Sequence, residues 1–189
     1  MSRLPPVDEK NDPEVAAVFA ELTTSRGYIS NALRSMGHAP EALRRFASVG
    51  DYARYHTLLS ERQREIVIIT TARGTPYALG HHVPLGLQVG LTRAEVNSLL
   101  AGKVPPTFGP VDAAVVNYVV EFTSGKPVTE TTFRALQAFM SSREITDVTV
   151  TSAYFVALAM IITTMDVDLE SEERLHLEAD WQQKKSGGK

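Results

Sequence analysis

No cysteine occurs among the 189 residues, and that single absence removes a whole block of chemistry. Without a thiol there is no disulfide staple, no thiolate metal ligand, no sulfur nucleophile and no thiol redox couple. Excess positive charge is missing too. With 19 Lys and Arg against 22 Asp and Glu, the net charge is −3, so the basic footprint of a nucleic-acid binder is absent and no nucleic-acid partner is expected. The opening MSRLPPVDEKND lacks the apolar stretch of a secretory leader. The longest nearly apolar run, Ala153 to Met165, is shorter than the ~20 residues of a membrane span and is interrupted by Thr163 and Thr164. It reads as a buried helix, and the expectation is a cytoplasmic protein without a membrane partner.

What is present is helical punctuation. Asp12-Pro13-Glu14 supplies an N-cap, a proline at the first helical position and an acid in the first turn; Val15, Val18, Phe19 and Leu22 follow at helical spacing, and Gly27 ends the run. Tyr28 to Arg34 is a short polar piece. Pro40 starts a helix carrying Leu43, Phe46, Ala47 and Tyr52. Ser60 with Gln63, and Thr92 with Glu95, have the spacing of capping boxes, and Ser141 with Glu144 caps the last long helix. The first of these boxes opens Glu61 to Ala72, with Ile66, Ile69 and Ala72 on one stripe that Val67 and Ile68 widen. A helix from about Tyr77 follows, with Pro84 inside it and Gly90 as its stop. Pro110 to Phe122 and Thr129 to Met140 repeat the amphipathic pattern, and the proline-rich Gly102 to Pro110 stretch reads as a tight loop. The fold class is all-α, a bundle of about seven or eight helices.

The window EIVIITTARGTPYALGHHVPLGLQVG, Glu65 to Gly90, is where chemistry concentrates. Glu65 lies early in one helix and His81-His82 lie well into the next. Consecutive helices joined by a short break run antiparallel, so the carboxylate can approach an imidazole. Such a contact is a proton-transfer pair. The two histidines diverge by ~100° around the helix, and neither has a histidine or carboxylate four residues away. His38, His56 and His176 are scattered, so no metal site is expected.

These residues resemble the core motif of the carboxymuconolactone decarboxylase family, which includes the AhpD-type alkylhydroperoxidases. Glu65-Ile66-Val67-Ile68-Ile69 matches the glutamate-bearing helix, Gly90-Leu91-Thr92-Arg93-Ala94-Glu95-Val96 matches the segment after the family histidine, and Thr70-Thr71-Ala72-Arg73 is similar to thiol-free members. Aligning the family histidine with His82 places Thr75 and Ala78 where redox cysteines would stand; His81 is the alternative if the register differs by one. Phe19 to Asn31, Arg34 and Met36 to Pro40 resemble the N-terminal extension of longer members.

The resemblance implies an AhpD-like single domain over residues 1–178, with 1–58 as extension and 59–140 as core motif region, and a mobile tail at 179–189. It implies a cofactor-free lyase of decarboxylase type acting on a small oxygenated unsaturated acid or lactone, of the kind met in aromatic compound catabolism. Glu65 and His82, or His81, would be catalytic, and Arg73, Tyr77, Asn31 and Arg34 would bind substrate. It also implies a homo-oligomer, a trimer or hexamer. Alternatives are isomerase or hydrolase-like chemistry on another small substrate, or a non-catalytic oligomeric binding protein. Thiol peroxidase activity is excluded by composition alone.

Overall fold

In the computed structural model, which describes residues 2–175 and 181, nine helices of five or more residues follow one another: α1 (Pro13–Arg26), α2 (Asn31–Ser35), α3 (Pro40–Tyr55), α4 (Glu61–Thr71), α5 (Pro76–Gln88), α6 (Arg93–Leu100), α7 (Pro110–Phe122), α8 (Glu130–Gln137) and α9 (Ser142–Met165). Among the described residues there is no strand. His176 and the 179–189 tail, apart from Trp181, lie outside the described residues. The chain divides into two compact units, Tyr52–Met160 and Met1–Asp51 with Ile161–Lys189.

In the Tyr52–Met160 unit, α4 packs against α5, α6 and α7, and α7 against α8. Ile66, Val67, Ile68 and Ile69 are all fully buried, so α4 is enclosed on every side rather than along one stripe. Val115, Val116 and Val119 of α7 and Val96 and Leu99 of α6 complete this core. Local chemistry sets the ends. The capping boxes at Ser60/Gln63 and Thr92/Glu95 both form, each satisfying two N-terminal amides. At the end of α5, Gly90 takes φ +95°, and the Leu91 and Gly90 amides donate to Gly86 O at 2.9 Å and Leu87 O at 3.2 Å, closing the helix in a Schellman turn. Pro84 leaves α5 continuous to Gln88.

A fully buried carboxylate, Asp147 of α9, fixes the turn before α4. It accepts from Leu58 N–H at 2.8 Å, from Arg143 Nε at 3.1 Å and from the Tyr52 hydroxyl. Helix α9 itself differs from the buried rod expected over Ala153–Met165. Tyr154, Phe155 and Ile162 are buried there, whereas Ala153 is exposed and Met160 is 66% exposed. The apolar composition covers two faces and the chain covers one. At 24 residues α9 is also longer than the apolar run, and by length and composition alone it would suffice to cross a membrane. Its packed side carries Asp147, Thr151 and Ser152, all fully buried, as a core helix of a protein interior can.

The other unit has its own core of Val15, Val18, Phe19, Leu22, Ile29, Leu33, Leu43 and Ala47. Asp12 caps α1 by accepting from the Glu14 and Val15 amides, and Gly27 ends it at φ +78°. The ring of Trp181 lies against Gly27: a Cβ there would come within 2.6 Å of it. Buried Arg26 donates to Ala47 O at 2.7 Å and pairs with Asp51 at 2.9 Å, tying α1 to α3.

Candidate active site

Glu65 occupies the second turn of α4, and its side chain points into the α4–α5 interface, where only 2% of the residue is exposed. His82, on α5, is 5% exposed. The two meet: His82 Nδ1 and Glu65 Oε2 are 2.8 Å apart. Since a carboxylate only accepts, the hydrogen bond assigns the proton to Nδ1 and leaves Nε2 as the nitrogen free to act. Nε2 has no hydrogen-bond partner among the described residues.

Three further residues hold this pair. Gly86, one turn beyond His82, lets α5 close on α4; a Cβ there would lie 2.7 Å from Ile69 Cδ1 and 3.1 Å from Leu91 Cδ1. Phe155 of α9 presents its ring to His82 edge-on, centroids 5.0 Å apart, and fixes the imidazole plane from the apolar side. Arg64 Nε lies 3.9 Å from Glu65 Oε1, placing a cation by the carboxylate oxygen that His82 does not use. The spacing of Gly86 four residues after His82 is visible in the sequence. No sequence signal singles out Phe155, which reaches the site only through tertiary packing.

His81 is buried as well. Its ring lies beside that of Tyr77 one turn earlier, centroids 4.9 Å apart and the planes tilted by 38°. Thus, of the two adjacent histidines, it is His82 that bonds to Glu65. Thr75 and Ala78, at the N-cap and in the first turn of α5, are both buried and carry no thiol.

The other residues expected at the site make the following contacts. Arg73 was expected to offer its fork to a substrate carboxylate. Its Nη1 donates to Thr70 O and to Thr123 Oγ1, both at 2.8 Å, beside the carbonyl end of α4. Asn31 and Arg34 belong to the Met1–Asp51/Ile161–Lys189 unit. There the Asn31 backbone N–H donates to Glu170 Oε1 at 2.5 Å and its Nδ2 donates to Asp168 O at 3.0 Å, while Arg34 Nη1 pairs with Glu9 at 3.4 Å.

A buried, oriented carboxylate–imidazole pair can take up a proton at Nε2, or deliver one there, inside a water-poor interface. Residues 40–121, which include Glu65 and His82, match the model of the carboxymuconolactone decarboxylase family. Among solved structures, the chain is similar to an uncharacterized peroxidase-related protein with an AhpD core from Ralstonia eutropha: TM-score 0.75, 16% identity, over 90% of this chain and 93% of that one. It is also similar to the debrominase Bmp8, at TM-score 0.70 and 18% identity over 94% and 96% of the two chains. A Bmp8 variant in complex with 2,3,4-tribromopyrrole gives TM-score 0.71 and 15% identity over 98% and 100%. At such identities the likeness concerns the fold. No curated protein matches the sequence. Residues 40–121 thus match the carboxymuconolactone decarboxylase family, within a helical fold similar to that of AhpD-core proteins.

Proposed function

We propose that the protein is a cofactor-independent lyase of carboxymuconolactone decarboxylase type, acting in the cytoplasm on a small unsaturated acid or lactone. The observation that carries this reading is the buried 2.8 Å bond between His82 Nδ1 and Glu65. In the proposed reaction the C–C bond to a substrate carboxylate breaks and CO2 leaves. The electron pair delocalises into the conjugated carbonyl as a dienolate. His82, protonated at both nitrogens, then delivers the Nε2 proton to carbon and is reprotonated from solvent, so one proton is consumed per CO2 released. Glu65 holds the imidazole orientation and offsets its positive charge. Burial beneath Phe155 keeps bulk water from competing for the dienolate.

The debrominase bound to a tribrominated pyrrole supports a small, flat, unsaturated substrate, because a protein of the same fold accommodates one. A homo-oligomer, trimer or hexamer, belongs to the same reading. The apolar outward side of α9, with Met160 largely exposed, is the surface proposed to pack between copies. A non-catalytic oligomeric binding protein is the second reading, and one observation favours it: Tyr77, expected to meet substrate, is buried with its ring beside that of His81.

The test is turnover. Purified protein is offered unsaturated lactone acids, and CO2 release is followed for wild type, Glu65→Gln and His82→Ala. The lyase reading expects release by wild type and a loss of at least ~100-fold in each variant with helicity unchanged. Release within a few-fold of wild type in both variants would remove the assigned roles.

A further inference from the structure

We propose that the Met1–Asp51/Ile161–Lys189 unit carries a binding site for a small organic monocarboxylate with an apolar body, held by Arg34 over the ring of Phe19. The inference does not depend on the lyase reading. The site is a cavity of about 580 Å³ that lies wholly within this unit. That volume falls within the ordinary range of small-molecule pockets. Leu4, Val7, Phe19 and Val167 supply apolar wall, and Arg3 and Arg34 supply cations.

The guanidinium of Arg34 is both placed and incomplete. It lies over the Phe19 ring, 5.0 Å from the centroid, which holds its plane. Its single ion pair uses Nη1, to Glu9 Oε1 at a long 3.4 Å. Nε is buried without any hydrogen-bond partner, and Nη2 makes no hydrogen bond among the described residues. Nε is closed off, so the donor left open to a ligand is Nη2, a charged N–H that suits a carboxylate oxygen. A carboxylate accepting from Nη2 makes a charge-assisted hydrogen bond while its apolar part covers Phe19 and Val7. The neighbourhood also limits the ligand's charge. Arg3 has no ion pair among the described residues, but Asp168 lines the cavity and Glu9 already partners Arg34. Two cations facing two carboxylates suit a monoanion better than a dianionic phosphate.

The experiment is calorimetric titration of the full chain with sodium benzoate, and with benzamide and inorganic phosphate under the same conditions. Benzoate is expected to bind, and benzamide and phosphate at least about ten-fold more weakly. Arg34→Met is expected to weaken benzoate at least about ten-fold, and Glu65→Gln to leave its affinity unchanged. Val7→Trp, which fills the cavity, is expected to abolish binding and answers the same question if Arg34→Met does not fold. The proposal is overturned by benzoate failing to bind up to about 20 mM, by benzamide or phosphate matching benzoate, or by Arg34→Met or Val7→Trp binding like wild type. Loss of binding in Glu65→Gln would place the ligand at the Glu65–His82 pair instead and would equally overturn it.

Discussion

The Cβ of Glu65 lies 3.9 Å from the point where a side chain on Gly86 would begin. That closeness brings the two backbones near enough for the Glu65–His82 bond to form between side chains of fixed reach. Glycine at 86 is thus part of the site's geometry without touching the imidazole. Gly86→Val is expected to force α5 away from Ile69 and to cost about 1–3 kcal/mol of stability by overpacking. It should also lower turnover more than it lowers the melting temperature would suggest. Thermal unfolding read beside CO2 release checks this; an undiminished rate would show that the helix separation is not critical.

Glu65→Gln and His82→Ala are expected to differ in kind. Glutamine can still accept from Nδ1 through its amide oxygen, so ring orientation survives while the negative charge is lost. Alanine removes the proton carrier. Both should lose at least ~100-fold in turnover, with exogenous imidazole restoring part of the rate to His82→Ala alone. Equal rescue of both variants would contradict the division of roles.

Asp147→Ala should be among the most destabilising single changes in the chain. It leaves the Leu58 amide, the Tyr52 hydroxyl and Arg143 without their shared acceptor. A loss of about 3 kcal/mol is expected, with Asp147→Asn recovering part of it. Urea titration of the two variants measures both. A loss below ~1 kcal/mol would mean that water replaces the carboxylate readily.

Glu95 gives a pH signature. The Thr92 backbone N–H first, then the Thr107 and Thr92 hydroxyls and the Arg62 charge, hold its carboxyl below the usual range. A depressed folded-state value means that the ionised form is favoured by folding. The associated stability is present above the unfolded value of ~4.3 and is lost as pH falls through the lower folded value. Glu95→Gln should therefore narrow the stability difference between pH 7 and pH 3 relative to wild type, as read by urea titration at both. An unchanged difference would assign the acid sensitivity to other carboxylates.

Helix starts were legible in the sequence because capping is local: Asp12, Ser60 and Thr92 each bond to amides two or three residues away. The first turn of α9 is legible for the same reason, with Ser141 and Glu144 bonded reciprocally. Ser30, which caps α2, went unread because a five-residue helix has too little apolar periodicity to announce itself. The Glu65–His82 approach followed from chain order, since adjacent helices with a short break must pack. What did not follow was anything set by distant packing. Asp147 looks like a surface acid in the sequence and is fully buried, and Phe155 reaches His82 from 73 residues away along the chain. The outward half of α9 shows the converse limit, because composition reports how apolar a helix is and not how many faces its own chain will cover.

The chain holds a single tryptophan, and it rests on Gly27. Intrinsic emission excited at the red edge of the indole band therefore reports on the Met1–Asp51/Ile161–Lys189 unit alone, whereas circular dichroism averages over every helix. Recording both during denaturation reveals whether the body bearing Arg34 melts together with the body bearing Glu65 and His82 or ahead of it.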